Sequence, residues 1–358
     1  MAPIHNFNPG PAVLPLPALT RARDEFLDVA GSGMSIMEHS HRAKVYEGIH
    51  NEAIALLREL CAIPGDYEVL LLQGGASQQF AVVPMNLLDR DKSADYVVTG
   101  TWSQKALKEA RCFGRPRVAA TTEVDGKFYR VPSPDEIDLD PDAAYVHITT
   151  NNTIAGTQFH EFPQTSAPLV ADMSSDIMSG PLDVTRFGLI YAGAQKNLGP
   201  SGVTVVIVRK DLVEAGRRDI PAFFQYRTHA ADNSLSNTPP TFAIYMLRNV
   251  LSWLKEQGGL PAIAARNHEK ARLLYDVLDE RSDFYVCRVE KRSRSSMNVV
   301  FNLPTPELEA ECISAAQQLG MVGLKGHRLV GGLRASIYNA CPQESVAALA
   351  DFLRSFKK

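Results

Sequence analysis

The chain has 358 residues, with 37 Lys and Arg against 40 Asp and Glu, a net charge of −3, 45% hydrophobic and 22% charged residues. Such a composition excludes a disordered chain or a coiled-coil rod, and it offers no basic excess to hold nucleic acid by its phosphates. The length fits two domains, or one large domain with an appendage. No apolar run approaches the roughly 20 residues that span a bilayer, and the first residues have neither the cationic start nor the apolar segment of a secretory signal.

The five cysteines, Cys61, Cys112, Cys287, Cys312 and Cys341, form no Cys-x-x-Cys pair. This argues against a disulfide framework or a structural zinc site and leads us to expect a cytoplasmic protein. His39 and His41 have no neighbouring carboxylate cluster or His-Glu-x-x-His motif to make a metal site.

In chain order, Val45, Ile49, Leu56 and Leu60 recur near one helical period and predict a helix over 43–61. The apolar run Val69 to Leu72 follows and stops at Gly74-Gly75, after which 77–88 reads as helical at least to the residue before Pro84. The alternation continues with Tyr96 to Val98, a helical stretch over 102–112, and Val118 to Ala120. Further short runs are Tyr145 to Ile148, Leu169 to Ala171, Leu189 to Ala192 and Val203 to Val208. These segments are uniformly apolar, without alternation. Strands covered on both faces by helices read this way, so an α/β architecture with a mostly parallel sheet is expected over about 17–255.

The character changes near Gly258-Gly259. Helical patterns over 262–280, 307–319 and 344–356, with strands over 297–303 and 333–338, suggest a smaller α+β domain joined by the N-terminal arm. The expected division is a large domain over 17–257 and a small one made of 1–16 and 258–358.

Ligands in open α/β sheets gather at the carboxyl ends of the strands. Past Leu72 lies Gln73-Gly74-Gly75-Ala76-Ser77, a tight turn whose following helix start can hold an anion. Past Ala171 comes Asp172, and past Ala194 come Gln195 and Lys196. Alone, these features read as a turn, a strand cap and a surface charge. Together, an anion cup, a carboxylate and a lysine on one sheet edge are what a pyridoxal phosphate site requires.

The whole chain resembles the phosphoserine aminotransferase family, among the class V, fold-type I pyridoxal phosphate enzymes. The resemblance rests on Asn6-Phe7-Asn8-Pro9-Gly10-Pro11-Ala12, Ser40-His41-Arg42, Leu72 to Ser77, Ala171-Asp172-Met173-Ser174-Ser175, Gly193 to Asn197, Ser236 to Pro240, Lys325-Gly326-His327-Arg328 and Gly331 to Ala340, in that order. It implies a large domain with a mostly parallel seven-stranded sheet and a smaller α+β C-terminal domain. The implied reaction is reversible transamination of 3-phosphohydroxypyruvate with L-glutamate to O-phospho-L-serine and 2-oxoglutarate in serine biosynthesis. Some relatives also accept a phosphorylated threonine analogue of vitamin B6 synthesis.

By the same resemblance, Lys196 carries the coenzyme as an imine and Asp172 contacts the pyridine nitrogen. Trp102 stacks on the ring and Thr153 reaches the ring hydroxyl oxygen. Ala76, Ser77 and Gln195 hold the phosphate, with Asn237 and Thr238 from a neighbouring subunit of a homodimer. Arg334 takes the substrate α-carboxylate. His41 and Arg42, with His327 and Arg328 from the partner, surround the substrate phosphate. Two positions differ from some relatives: Ser77 stands where one branch has an arginine, although other relatives also have serine, and Gly180 stands where a basic residue is common. Two rivals are a cysteine desulfurase, for which Cys341 is the best nucleophile, and a non-catalytic anion-binding protein.

Overall fold

A computed structural model describes residues 4–357. Seven strands form the central sheet: β1 (Tyr67–Gly74), β2 (Ser93–Val98), β3 (Arg115–Thr121), β4 (Val146–Thr149), β5 (Leu169–Asp172), β6 (Leu189–Gly193) and β7 (Gly202–Arg209). Their order is β1-β7-β6-β5-β4-β2-β3. The β4–β5, β5–β6, β2–β4 and β2–β3 pairs are parallel, and β7 runs antiparallel to both β6 and β1. The carboxyl ends of β1, β2, β4, β5 and β6 therefore lie on one edge, as parallel strands reached by helical crossovers require.

Both faces are covered, which explains the unbroken apolar runs. Side chains alternate across each strand. Val69 and Leu71 of β1 pack with α1 (Lys44–Leu60) residues such as Leu57, whereas Leu70 and Leu72 pack on the other face. That second face carries α2 (Ala76–Leu87) and α3 (Thr101–Ala110) through Phe80, Val83, Ala106 and Leu107. Helix α2 continues through Pro84, beyond the minimum expected from sequence; Phe80 and Val83 anchor its sheet side.

Helix α4 (Thr241–Glu256) joins α1 on the first face and buries Ile244, Leu247 and Leu251. Its remaining buried residues, including Tyr245, Met246 and Arg248, lie all around the helix. Its apolar residues still recur on one side, with Ile244, Leu247, Leu251 and Leu254 at helical spacing.

A separate apolar core gathers α5 (Gly259–Glu280), β8 (Asn298–Phe301), α6 (Pro306–Gln318), β9 (Leu333–Ser336) and α7 (Gln343–Ser355). Leu274, Val299, Phe301, Leu333, Ala335 and Leu349 are at its centre, joined by Phe7 of the N-terminal arm. That arm pairs His5–Asn6 in parallel with Met321–Val322. The observed helices agree with the expected ones to within three residues at each end, and β8 and β9 are shorter than the expected strands.

The two cores meet partly through a turn at Gly156, whose carbonyl accepts from the Ser295 N–H at 3.0 Å. Gly156 has φ +77°, and a Cβ there would lie 2.9 Å from Val300 Cγ2 and 3.2 Å from the Asn298 carbonyl oxygen. Gly156→Ala is expected to combine left-handed strain with overpacking and cost about 1–3 kcal/mol. Urea unfolding followed by circular dichroism measures this; an unchanged midpoint contradicts it.

Candidate active site

The strand-end edge opens into a cavity of about 340 Å³ that reaches the second core. Ala76, Ser77, Trp102, Thr153, Asp172, Gln195, Lys196, His327 and Arg334 all line it, so the structure brings together most of the residues singled out from sequence. Arg42, Arg328 and Thr238 are exposed, and His41 and Asn237 also lie outside the cavity lining of their own chain. His327 lines the cavity of its own chain, where the resemblance implies a histidine from the partner. It is placed there by a loop that closes back on β9, with the Gly326 N–H donating to Gly332 O at 2.9 Å.

Asp172 ends β5 and is held from below. Its Oδ1 accepts from the Ser174 N–H at 3.0 Å and the Ser174 hydroxyl at 2.6 Å, and Ser174 Oγ in turn accepts from the Gly193 N–H at 3.1 Å. Ser174 is thus a supporting residue that strand-end reasoning passed over, although it lies inside the Asp-Met-Ser-Ser motif. Burial pushes the Asp172 carboxyl up, while the Lys196 ammonium and the Ser174 hydrogen bonds oppose the shift. Burial pulls the Lys196 ammonium down, against the attraction of Asp172 and Asp176. Both directions have one cause, the removal of charge from water.

The Lys196 Nζ lies 5.9 Å from the centre of the Trp102 ring. Trp102 Nε1 donates to Thr153 Oγ1 at 3.1 Å, which fixes the indole against the cavity wall. Gly10 lets the N-terminal arm close over this corner; a Cβ there would lie 3.3 Å from Lys196 Cγ.

At the opposite wall Arg334 Nη1 donates to Thr153 O at 2.9 Å, and its buried Nε has no partner among the described residues. A buried donor without an acceptor is costly unless a ligand supplies one. Beyond the expected residues, Thr149 and Asn151 also face the cavity. Both follow the strand-end rule applied to β4, where the sequence offered no charged residue to draw attention.

The donors fit pyridoxal phosphate. Helix α2 begins at Ala76 after Gly75, which has no side chain to cap it, so the first N–H groups are left for an anion. Asp172 accepts both Ser174 bonds on Oδ1, which leaves Oδ2 for a protonated ring nitrogen. Lys196 supplies the amine. Cys341, by contrast, is buried and its thiol is pushed up to about 11, opposite to what a desulfurase nucleophile needs.

Among the described residues no group of three or more His, Cys, Asp or Glu is arranged for a metal ion, and no helix is long and apolar enough to cross a membrane. A Cβ at Gly180 would lie 3.1 Å from Ala264 Cβ, and nothing in the structure explains the loss of a basic residue there.

The Lys196–Asp172 coupling makes a prediction. Asp172→Asn removes a negative charge that favours the ammonium, so Lys196 in the coenzyme-free protein should become reactive at lower pH than in the parent. The pH dependence of Lys196 acylation, read by mass spectrometry, checks this; an unchanged or raised midpoint contradicts it.

The family description "Aminotransferase class-V" matches residues 4–349. A phosphoserine aminotransferase of Lysinibacillus sphaericus is 54% identical over 355 residues, covering 99% of this chain and 98% of the relative. The solved phosphoserine aminotransferase of Bacillus circulans subsp. alkalophilus superposes with a TM-score of 0.97 at 54% identity, over 99% of this chain and 98% of that one. A pyridoxal-phosphate-bound phosphoserine aminotransferase from Trichomonas vaginalis gives 0.95 at 39% identity, over 99% and 100% of the two chains. The chain belongs to the class-V aminotransferases, and within them to the phosphoserine aminotransferase family.

Proposed function

We infer that the chain transfers the amino group of L-glutamate to 3-phosphohydroxypyruvate, giving O-phospho-L-serine and 2-oxoglutarate, the transamination of serine biosynthesis. The observation that carries this reading is the convergence of Lys196, Asp172, the open start of α2 and the unpartnered Arg334 Nε on one cavity, in a chain similar over its full length to phosphoserine aminotransferases. The cofactor is pyridoxal phosphate. When bound, it supplies a carbonyl that exchanges amine for oxygen and a ring that withdraws electrons.

The chain's own residues do the rest. The Ala76 and Ser77 N–H groups, with Gln195, hold the phosphate. Asp172 keeps a proton on the ring nitrogen, which strengthens the ring's pull on electrons. Trp102 and Thr153, both in the cavity lining, would cover one face of the ring and bond its hydroxyl oxygen. Lys196 Nζ is placed to take the proton from the substrate α-carbon and, with pyridoxal phosphate bound, would return it at the coenzyme's C4′, acting as base and then acid. Burial lowers its proton affinity, which favours the neutral amine over the ammonium.

Arg334 receives the α-carboxylate as a fork, its Nη1 already tied to Thr153. His327 lines the cavity and would meet the substrate phosphate, with His41, Arg42 and Arg328 completing its neutralisation.

That last role brings in a second copy. The cavity of one chain contains His327 and Arg334 but not Arg42, Asn237 or Thr238. Leu16, Phe26, Leu27, Met34 and Met37 are exposed together along the N-terminal segment that precedes His41 and Arg42. A homodimer would bury these exposed apolar side chains and let each chain complete the other's site. We take residues 17–257 as the coenzyme-binding domain and 1–16 with 258–358, of which 1–3 and 358 lie outside the described residues, as the domain that carries Arg334; the two apolar cores support this except at the start of α5, where Leu260 and Ile263 pack in the first core. A cytoplasmic setting fits the free cysteines.

Three variants separate these roles. Lys196→Ala should lower kcat at least 1,000-fold, given the usual loss on removing a group that moves the proton and holds the cofactor. Arg334→Ala should raise KM for glutamate and O-phosphoserine alike. Arg42→Ala should raise KM for O-phosphoserine at least ten times more than for glutamate; equal changes contradict a phosphate role. Steady-state assays in both directions measure all three, and a phosphorylated threonine analogue is the second substrate to assay.

A further inference from the structure

A chain of buried carboxamides and hydroxyls joins the cavity wall to the strand that bears Arg334. The Ser295 hydroxyl accepts from the Met297 and Asn298 N–H groups at 3.0 and 2.9 Å, so its own proton goes to Asn151 Oδ1 at 2.5 Å. That fixes the orientation of the Asn151 amide, whose Nδ2 donates to Asn298 Oδ1 at 2.8 Å. Asn298 Nδ2 is thereby turned to Ser336 Oγ at 3.0 Å and Tyr338 Oη at 3.1 Å, and the Tyr338 hydroxyl donates to Pro9 O at 2.8 Å. Asn151, Ser295, Asn298, Ser336 and Tyr338 are all at most 2% exposed.

A network this dry and this fully paired has one low-energy arrangement, because any shift leaves a buried donor or acceptor without a partner. Its position gives that rigidity a use. Asn151 and Pro9 belong to the cavity wall. Asn298 and Ser336 are opposite each other in the β8–β9 ladder, and Arg334 and Ser336, two residues apart, point to the same face of β9. The Asn298 carboxamide therefore spans from the wall of the coenzyme site to the strand from which Arg334 reaches into it.

We propose that Asn298 is a positioning residue for substrate carboxylate recognition: held between Asn151 and the Ser336–Tyr338 pair, it sets where Arg334 stands relative to the cavity before substrate arrives. This rests on the reading of Arg334 as the α-carboxylate site. It adds that the fit of Arg334 is built in by the network, not made by moving the second core onto the first. Losing the bridge should weaken ground-state and transition-state binding of the carboxylate alike, which raises KM and leaves kcat.

The test uses the holoenzyme and its Asn298→Ala, Ser336→Ala and Arg334→Ala variants. In Asn298→Ala, KM for glutamate and for O-phosphoserine should rise together by about tenfold, with kcat within twofold. Ser336→Ala, which removes one bond and no bulk, should show the same split at about threefold and decides the matter if Asn298→Ala does not fold. Binding of 2-oxoglutarate by calorimetry should weaken in parallel, while the dissociation constant for pyridoxal phosphate stays within twofold. A generally loosened protein would lose coenzyme and kcat together, and that result overturns the proposal. Unchanged KM in the foldable variants, with KM raised in Arg334→Ala, also overturns it and leaves the Arg334 reading standing. Unchanged KM in Arg334→Ala brings down both.

Discussion

The structure depends on keeping a lysine amine and a carboxylate together, largely out of water, at the end of a parallel sheet. Neither charge is comfortable there: burial pulls Lys196 toward its neutral form and Asp172 toward its protonated form, and each opposes the other's shift. The fold compensates Asp172 with two hydrogen bonds from Ser174, while among the described residues Lys196 Nζ has no hydrogen-bond partner. An acid held in place and an amine left free are the two halves of a site that grips a charged ring and moves protons beside it.

The surrounding architecture follows from that arrangement. Strands β4, β5 and β6 are parallel, so their carboxyl ends present Thr149, Asp172 and the Gln195–Lys196 turn side by side. A second core supplies what the sheet edge lacks, a guanidinium, and Arg334 crosses to bond Thr153 on the sheet's side. Apolar packing alone could not set that approach so closely, since it has little direction. Paired carboxamides and hydroxyls can.

Much of this was legible in the amino-acid order. The apolar runs at 69–72, 96–98 and 203–208 became sheet strands because two covered faces demand unbroken hydrophobicity. Lys196, Asp172 and the Gly74-Gly75 turn could be grouped because strand ends mark the ligand edge.

Other features left weaker marks. Asn298 meets Asn151 and Ser336 only when distant segments come together, and Ser174 gains its Gly193 partner only when β5 and β6 pair. Of the phosphate-binding candidates, His327 reaches its own cavity while Arg42 and Thr238 face solvent, a division that depends on loop placement and on what a second copy brings.

The most direct measurement is borohydride reduction of the protein with bound pyridoxal phosphate, followed by peptide mapping. The account predicts a single stable adduct on the peptide containing Lys196, and none when Lys196 is replaced. An adduct on another lysine, such as buried Lys270, or no adduct at all, would contradict it.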